Sequence, residues 1–210
     1  MDRGSFITIE GGEGAGKSTQ AALLGEAIGG AGIDVLVTRE PGGAPGAEDI
    51  RTLLVEGSVS RWDPMSEALL HYAARKEHLE RTVIPALDAG RWVISDRFAD
   101  STMAYQGYGH GLGPDTIARL HDLVLGDFSP ALTVILDVAV ETGLERGNAG
   151  LEDRYERMGT DFHRRLRQGF VEIARLDPER CALVDAGQSL ADTQAAIRRI
   201  VGDRLGLDLE

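Results

Sequence analysis

The segment of residues 11–18, Gly-Gly-Glu-Gly-Ala-Gly-Lys-Ser, constrains this chain more than any other feature. It satisfies the spacing G-x-x-x-x-G-K-[S/T] and follows an apolar run at residues 6–10, which predicts a β-strand. Residues 18–28 then repeat apolar side chains at helical spacing until Gly29-Gly30, which predicts a helix. The sequence therefore predicts a strand, a glycine turn and a helix in direct succession.

That turn has the chemistry of a phosphate cradle. Glycines let successive backbone N–H groups converge on phosphate oxygens, and the start of the helix adds positive potential. We expect Lys17 to contact the β- and γ-phosphates, Ser18 to ligate Mg²⁺, and Thr19 to contact a phosphate nearer the sugar. The expected donor site comprises Gly11, Gly12, Glu13, Gly14, Ala15, Gly16, Lys17, Ser18 and Thr19. The predicted donor is ATP with Mg²⁺, and the alternative is a glycine-rich turn without a ligand.

The rest of the chain alternates strands with helices. Further strands are predicted at residues 35–38, 92–95, 132–136 and 182–184. Helices are predicted near residues 47–54, 64–87, 141–146, 154–176 and 190–205, and glycine-rich loops at 40–46, 107–113 and 147–150. This order indicates an α/β fold with three layers, in which helices flank a five-stranded parallel sheet and residues 1–210 form one domain.

Charge and composition exclude several classes of partner. The net charge of −12 opposes broad binding to nucleic acid or to an anionic membrane. Residue Cys181 is the only cysteine, so neither an intrachain disulfide nor a cysteine-rich metal site is possible, and its expected role is core packing. With no apolar run of membrane-spanning length, we expect a cytoplasmic protein.

Two classes of nucleotide-binding protein remain: a switch or motor that hydrolyses the nucleotide, and a kinase that phosphorylates a small acceptor. The guanine-reading motif [N/T]-K-x-D is absent, because Lys17 follows Gly16 and Lys76 follows Arg75. A kinase needs a second anion site, for which arginine is well suited. The pair Asp96-Arg97, directly after a predicted strand, favours the kinase.

These residues belong to a longer pattern that resembles the bacterial thymidylate kinases. The matching segments are residues 6–19, T-R-E-P-G-G at 38–43, Arg51, Y-A-A-R at 72–75, D-R-F at 96–98, S-T-M-A-Y-Q-G at 101–107 and D-R-Y-E at 153–156. The resemblance implies a P-loop kinase fold with a lid at about residues 146–157. It also implies the reaction Mg²⁺·ATP + dTMP giving ADP + dTDP by direct in-line transfer, and a homodimer built through helices that include the one bearing Arg75.

The resemblance implies roles for the groups near the phosphates. Arg97, helped by Arg51, would hold the acceptor phosphate, and Asp96 would hold Mg²⁺ directly or through water. Glu13 would face the 3′-hydroxyl side of the acceptor. The alternatives are a strand-end ion pair for Arg97, a structural carboxylate for Asp96 and a solvated surface arginine for Arg51.

The thymine end is implied in the same way. Arg75 would donate to thymine O4, and His71, one helical turn earlier, would stack on the base in the place of a usual aromatic residue. Tyr105 would pack against the deoxyribose, and its alternative is a core tyrosine. The remaining implied dTMP contacts are Glu40, Pro41 in a cis peptide bond, Ser101, Thr102 and Gln106; an ordinary turn proline is the alternative for Pro41.

The lid and the adenine side complete the implied site. The lid would bring catalytic arginines to the donor, with Arg146, Arg154 and Arg157 as candidates, and Asp153 and Glu156 would help to retain Mg²⁺. Asp185, after the last predicted strand, would belong to the loop against which adenine rests. The alternative for the lid is a solvated, charged start of a helix. Another nucleoside or nucleotide kinase of the same fold, and a non-catalytic ATP-binding protein, remain as other functions.

Overall fold

The computed structural model describes residues 3–147 and 154–209. Its core is a five-stranded parallel sheet in the order β2-β3-β1-β4-β5. The strands are β1 Phe6–Gly11, β2 Val35–Arg39, β3 Trp92–Asp96, β4 Leu132–Asp137 and β5 Cys181–Asp185. The predicted five-stranded parallel sheet is confirmed, and the five predicted strands are each one to two residues longer than expected.

Helices cover both faces of the sheet. The α-helices are α1 Lys17–Gly30, α2 Pro45–Val55, α3 Pro64–His78, α4 Ile84–Asp88, α5 Ala99–Thr102, α6 Pro114–Leu125, α7 Val140–Gly147, α8 Thr160–Leu176 and α9 Leu190–Leu205. Two π-helical segments, Leu79–Val83 and Met103–Gly109, follow α3 and α5.

The alternation of side chains along β1 explains the three layers. Ile7 and Ile9 point towards α1 and α9, where they join a cluster with Leu24 and Ile197. Phe6 points to the opposite face and packs in a second cluster with α4, with Val93 of β3 and with Phe98. On that second face, α8 packs on β4 and on the second π-helical segment. The buried thiol of Cys181 lies in the apolar cluster under α8, where it packs as expected.

The long helix predicted over residues 64–87 is observed as one uninterrupted run of α3, a π-helical segment and α4. Pro85 has no backbone N–H, so a regular α-helical ladder cannot continue through it. The segment Leu79–Val83 absorbs this defect with a wider turn, in which Ile84 N–H donates to Leu79 O.

The helix predicted to begin at residue 154 begins instead at Thr160. Residues 154–158 form turns, because Arg154 N–H donates to Val55 O at the end of α2, 3.1 Å away. This correction matters for the site, since it draws the last residues of the predicted lid towards α2 and α3.

The glycine-rich stretch 107–113 is only partly a loop. Gly107 and Gly109 lie in the second π-helical segment, which, with α5 and α6, the sequence reading did not predict. A Cβ on Gly109 would lie 2.7 Å from the ring of Phe162. This glycine therefore permits close packing against α8, and does not mark a turn.

Among residues 3–147 and 154–209, no helix is long and apolar enough to cross a membrane.

Candidate functional site

The glycine turn after β1 forms the floor of a cavity of about 320 Å³ at the carboxyl edge of the sheet. Gly14 and Gly16 adopt positive φ angles of 65° and 87°, which side chains with a Cβ rarely adopt. A Cβ on Gly14 would lie 1.9 Å from Gly143 O, so the loop also needs glycine to pack against α7. The ammonium of Lys17 folds back over the loop and donates to Gly12 O at 2.6 Å. The strand, glycine turn and helix predicted from residues 6–28 are present.

Ser18 and Asp96 meet beside this loop. The Ser18 hydroxyl donates to Asp96 Oδ2, so the start of α1 and the end of β3 bring together two oxygen-bearing groups that are far apart in sequence. Asp96 Oδ1 is buried and has no hydrogen-bond partner among the described residues. A hydroxyl and a carboxylate with an unused oxygen suit Mg²⁺, which usually takes one or two protein oxygens and completes its shell with phosphates and water. The two predicted ligands therefore fit the ion.

Arg97 follows Asp96 with a φ of 72°, the only positive value outside glycine in the described part of the chain. This uncommon backbone conformation turns its side chain back over the phosphate loop. The guanidinium donates to Gly11 O at 3.0 Å and to both carboxylate oxygens of Glu13 at 2.9 and 3.0 Å. It also lies 5.0 Å from the ring of Tyr105.

Glu13 is a fixed anion within a cationic cluster. Burial opposes its ionisation, but the charges of Arg97 and Lys17 outweigh that cost and lower its pKa to about 2. The hydroxyl of Tyr105 donates to its Oε1. Burial also lowers the pKa of Lys17, and the Arg97 charge adds to that shift.

A second buried carboxylate, Glu10, holds the turn that carries Arg97. Its oxygens accept from Phe98 N at 2.7 Å, from Ser101 N at 3.2 Å and from Ser101 Oγ at 2.6 Å. Burial and the nearby Asp100 charge raise the pKa of Glu10 to about 8. The sequence reading did not single out this residue, which fixes the start of α5 from the end of β1.

Arg75 is completely buried on α3, next to Glu40 and Thr102, which line the cavity. Its Nε donates to Glu40 Oε2 at 2.7 Å, and its Nη2 donates to Phe98 O at 2.8 Å and to Thr102 Oγ1 at 3.1 Å. Its Nη1 is buried without a partner among the described residues. The guanidinium is thus held rigidly with one donor group unused.

Glu40 is itself held by a third residue. Its Oε1 lies 2.9 Å from Nδ1 of His78, whose Nε2 lies 2.9 Å from Thr38 Oγ1. The following peptide bond, Glu40–Pro41, is cis, as the resemblance implies. Pro41 O accepts a hydrogen bond from Arg51 Nη1 at 2.8 Å, which draws the predicted phosphate ligand on α2 to this loop.

His71 lines the cavity one helical turn before Arg75. Burial and the positive charge of Arg75 lower its pKa to about 3, so the ring is neutral and suited to stacking. Its Nε2 lies 2.8 Å from the hydroxyl of Tyr155. Ser101, Thr102, Tyr105 and Gln106 line the same cavity, so the structure gathers the predicted acceptor residues around one space.

The residues at the predicted lid divide between the two ends of the site. Arg146, at the end of α7, donates to Ala186 O at 2.9 Å and so reaches the loop of Asp185 after β5. Glu156 also lies at this end, since a Cβ on Gly147 would be 3.6 Å from its Oε1. Asp153 lies outside the described residues.

Arg154, predicted as a catalytic lid arginine, is held beside α2 and α3 in this structure. Its side chain is fully buried and bonds to Glu67 through Nη2, to Leu54 O at 3.0 Å and to Val59 O at 3.3 Å. Four bonded partners of the side chain, with Tyr155 Oη at 3.0 Å as the fourth, fix it in this position. Arg157 likewise donates to Gly57 O and remains on that side.

Comparison with known proteins identifies the family. The family model described as thymidylate kinase matches residues 9–197. A thymidylate kinase from Caulobacter vibrioides is 53% identical over 208 residues, which covers 99% of this chain and 100% of that protein. The chain belongs to the thymidylate kinase family. Another member, from Ruegeria pomeroyi, is 48% identical and covers 94% of each chain.

A solved structure agrees with this assignment. The crystal structure of thymidylate kinase from Ehrlichia chaffeensis is 35% identical, covers 95% of this chain and 98% of its own, and superposes with a TM-score of 0.75. The predicted resemblance to the thymidylate kinases and the predicted P-loop kinase fold are thereby confirmed.

Several residues at this thymidylate kinase site could not be predicted from a sequence motif. Glu10, Glu67 and His78 are buried charged or titratable side chains that hold the predicted ligands in place. The one sequence feature that could have revealed them is a charged or polar residue within an otherwise apolar strand or helix face. Such a residue is expected to be paired when it is buried. The partners cannot be named from the sequence, because they lie between 38 and 91 residues away.

Proposed function

We propose that this chain transfers the γ-phosphoryl group of Mg²⁺·ATP to dTMP, giving ADP and dTDP, by direct in-line transfer within the cavity described above. Membership of the thymidylate kinase family makes it a nucleotide-biosynthetic kinase. The observation that carries the assignment is one cavity lined both by the phosphate loop with Arg97 and by His71, Thr102 and Gln106. Arg75 is buried beside it, bonded to the lining residues Glu40 and Thr102, and its Nη1 is an unused donor. Such a cavity offers a phosphate site next to a site for a pyrimidine.

The donor phosphates would bind the backbone N–H groups of residues 11–16 and the start of α1. Lys17 would leave Gly12 O and neutralise charge on the β- and γ-phosphates. Ser18 and Asp96 would hold Mg²⁺, which supplies charge neutralisation and orientation of the phosphates when bound. Arg146, at the 185–187 loop, would cover the adenine side.

The acceptor phosphate would bind Arg97 and Arg51. Both arginines approach the cavity from different elements, and their charges offset the repulsion between two anionic nucleotides. An oxygen of the dTMP phosphate attacks the γ-phosphorus, and the bond from that phosphorus to the β–γ bridging oxygen breaks. No general base is required, because the attacking oxygen is already anionic.

The nucleoside would lie between His71, Tyr105 and the polar groups of α5 and its π-helical extension. Neutral His71 offers an aromatic face to thymine, and Arg75 Nη1 offers a donor to O4. Glu13, fixed by Arg97, would accept from the 3′-hydroxyl. Ser101, Thr102 and Gln106 would supply the remaining polar contacts, with Glu40 and Pro41 shaping the wall.

We assign Arg154 to the structure of the acceptor end, since its bonds to Glu67, Leu54 and Val59 hold it away from the phosphates. Transition-state charge would then be met by Lys17 and Arg97. Asp153 and Glu156 remain candidates for retention of Mg²⁺.

We also propose a cytoplasmic homodimer. The dimer is supported by exposed apolar side chains on α3 and α6, two helices that pack together. Leu69 on α3 is 51% exposed, and Leu123 on α6 is 83% exposed. Sedimentation should report a mass twice the 22.5 kDa of one chain.

An assay that couples ADP release to a set of acceptors tests the proposed function. We expect dTMP to be preferred, dUMP to be poorer, and CMP, AMP and thymidine to be nearly inactive. A preference for thymidine over dTMP would show a nucleoside kinase, and equal rates with CMP would remove the role given to Arg75.

A further inference from the structure

Glu67 on α3 is a buried carboxylate on which three elements converge. Only 1% of this residue is exposed. Its oxygens accept hydrogen bonds from Gln106 Nε2 at 2.7 Å and from Arg154 Nη2. Nε2 of His110 lies 3.3 Å from its Oε1. One carboxylate therefore joins the second π-helical segment, Arg154 of the predicted lid, and α3.

Glu67 is ionised under all ordinary conditions. Burial opposes its charge, but the contacts with His110 and Arg154 outweigh that cost and lower its pKa to about 2. An ionised carboxylate accepts hydrogen bonds and donates none. The atom of Gln106 that faces it must therefore be the amide nitrogen.

The other end of that amide is consequently fixed as an acceptor. Gln106 lines the cavity, and its Oε1 is buried without a partner among the described residues. Arg75 bonds to Thr102, another residue of the cavity wall, through Nη2, and its Nη1 is also buried without a partner among the described residues. The Gln106 amide thus offers a fixed acceptor to the cavity, and Arg75 keeps one unused donor.

This combination matches one class of pyrimidine. Thymine and uracil present an acceptor at O4 and a donor at N3, whereas cytosine presents a donor at N4 and an acceptor at N3. Arg75 cannot change its polarity, but a glutamine amide can reverse by rotating half a turn. Selection against cytosine at N3 therefore depends on whatever prevents that rotation.

We propose that Glu67 is a positioning residue for base selection, which locks the Gln106 amide with its oxygen towards the base and ties this lock to Arg154. This inference rests on the proposed function, because it concerns the acceptor of that reaction. Glu67 touches no reacting atom and acts only through Gln106. The bond to Arg154 makes the same carboxylate the anchor of residues 154–158.

The isosteric substitution Glu67→Gln tests the lock, because a second amide can pair with Gln106 in either orientation. We expect KM for dTMP to rise about 10-fold, while Ki for dCMP as a competitive inhibitor falls or stays constant. In Glu67→Asp, a shorter but acceptor-only side chain, the ratio of Ki for dCMP to KM for dTMP should stay within about 3-fold of the parent value. Equal weakening of both nucleotides in Glu67→Gln would overturn the proposal, as a general structural role predicts that result.

A second variant makes the test independent of the folding of Glu67→Gln. Gln106→Leu removes the acceptor, so dTMP binding should weaken about 10-fold and dCMP binding should not weaken. In this background Glu67→Gln should alter the ratio less than about 2-fold, since the residue through which Glu67 acts is gone. A loss of dCMP binding in Gln106→Leu would show that the amide nitrogen faces the base and would contradict the lock.

The parent enzyme separates the two claims. If the parent does not phosphorylate dTMP, the proposed function is wrong. If it phosphorylates dTMP and the ratio is unchanged in Glu67→Gln, the function stands and the positioning role of Glu67 is wrong.

Discussion

At the phosphate end of the cavity the ligand would meet the backbone of a glycine turn and the cations Lys17, Arg51 and Arg97, whereas at the base end it would meet side chains fixed by the buried carboxylates Glu40 and Glu67. Recognition of phosphate needs charge and tolerates movement of a lysine or an arginine. Recognition of a base needs donors and acceptors in one fixed order, which a buried network of hydrogen bonds provides. The two ends should therefore respond differently to substitution.

Loss of charge at the phosphate end should give the largest effect. In Lys17→Ala, kcat should fall by about 10²- to 10³-fold, because the ammonium stabilises charge that develops in the transition state. Lys76→Ala is the matched control: this other lysine of the chain is half exposed and pairs with Glu80, so its kcat should stay within about 2-fold. Steady-state kinetics and melting curves of both variants check this, and an unchanged kcat in Lys17→Ala would remove the lysine from the mechanism.

Loss of a carboxylate at the base end should act on stability. Glu40→Gln removes the charge partner of buried Arg75 and replaces one of the two oxygens that face Arg75 and His78 with an NH2 donor, so it should lower the free energy of unfolding by about 3 kcal/mol. Glu80→Gln, which breaks only an exposed pair, should cost less than about 1 kcal/mol. Urea denaturation of both variants measures the difference, and equal costs would mean that the base-end network is not a stabilising one.

The pH dependence of stability tests the part that buried Glu10 plays. Its pKa is about 8 in the folded chain, compared with an ordinary value of 4.5. The folded state keeps this proton longer than the unfolded state, so the stabilisation is full below pH 4.5 and is lost as pH rises to about 8. Glu10→Gln mimics the protonated form, and the parent should lose stability relative to it by up to about 1 kcal/mol per pH unit in this window. Histidine titration occurs in both proteins and cancels. Parallel curves for parent and variant between pH 5 and 8 would contradict this account.

The smallest expected effect concerns the backbone of Arg97. At a φ of 72°, glycine is favoured over alanine, so Arg97→Gly should be more stable than Arg97→Ala by about 1 kcal/mol, the reverse of the usual order. Both variants should lose dTMP kinase activity to the same degree, because each lacks the guanidinium. Thermal melts decide the point: alanine as the more stable variant would mean that residue 97 leaves the left-handed region.

The same contrast explains how much of the molecule could be predicted. The phosphate loop, the five strands and the ends of α9 follow from contiguous patterns, since glycine spacing and apolar periodicity are local properties. The base-end network does not, because Glu67 meets residues that are 39 and 87 positions away. Gly109 indicated a loop, but it lies in a helical segment and allows close packing against Phe162. Arg154 indicated the start of a helix, but its backbone N–H donates to Val55 O, a contact between residues distant in sequence.

The central claim is that this cavity passes a phosphoryl group from ATP to dTMP and does not release it to water. Incubation with Mg²⁺·ATP and dTMP, followed by chromatographic measurement of all four nucleotides, tests it most directly. The account predicts one dTDP formed for each ADP, with negligible ADP when dTMP is omitted. Release of ADP without dTDP would show a nucleotide hydrolase and would contradict the assignment of Arg97 and Arg75 to an acceptor site.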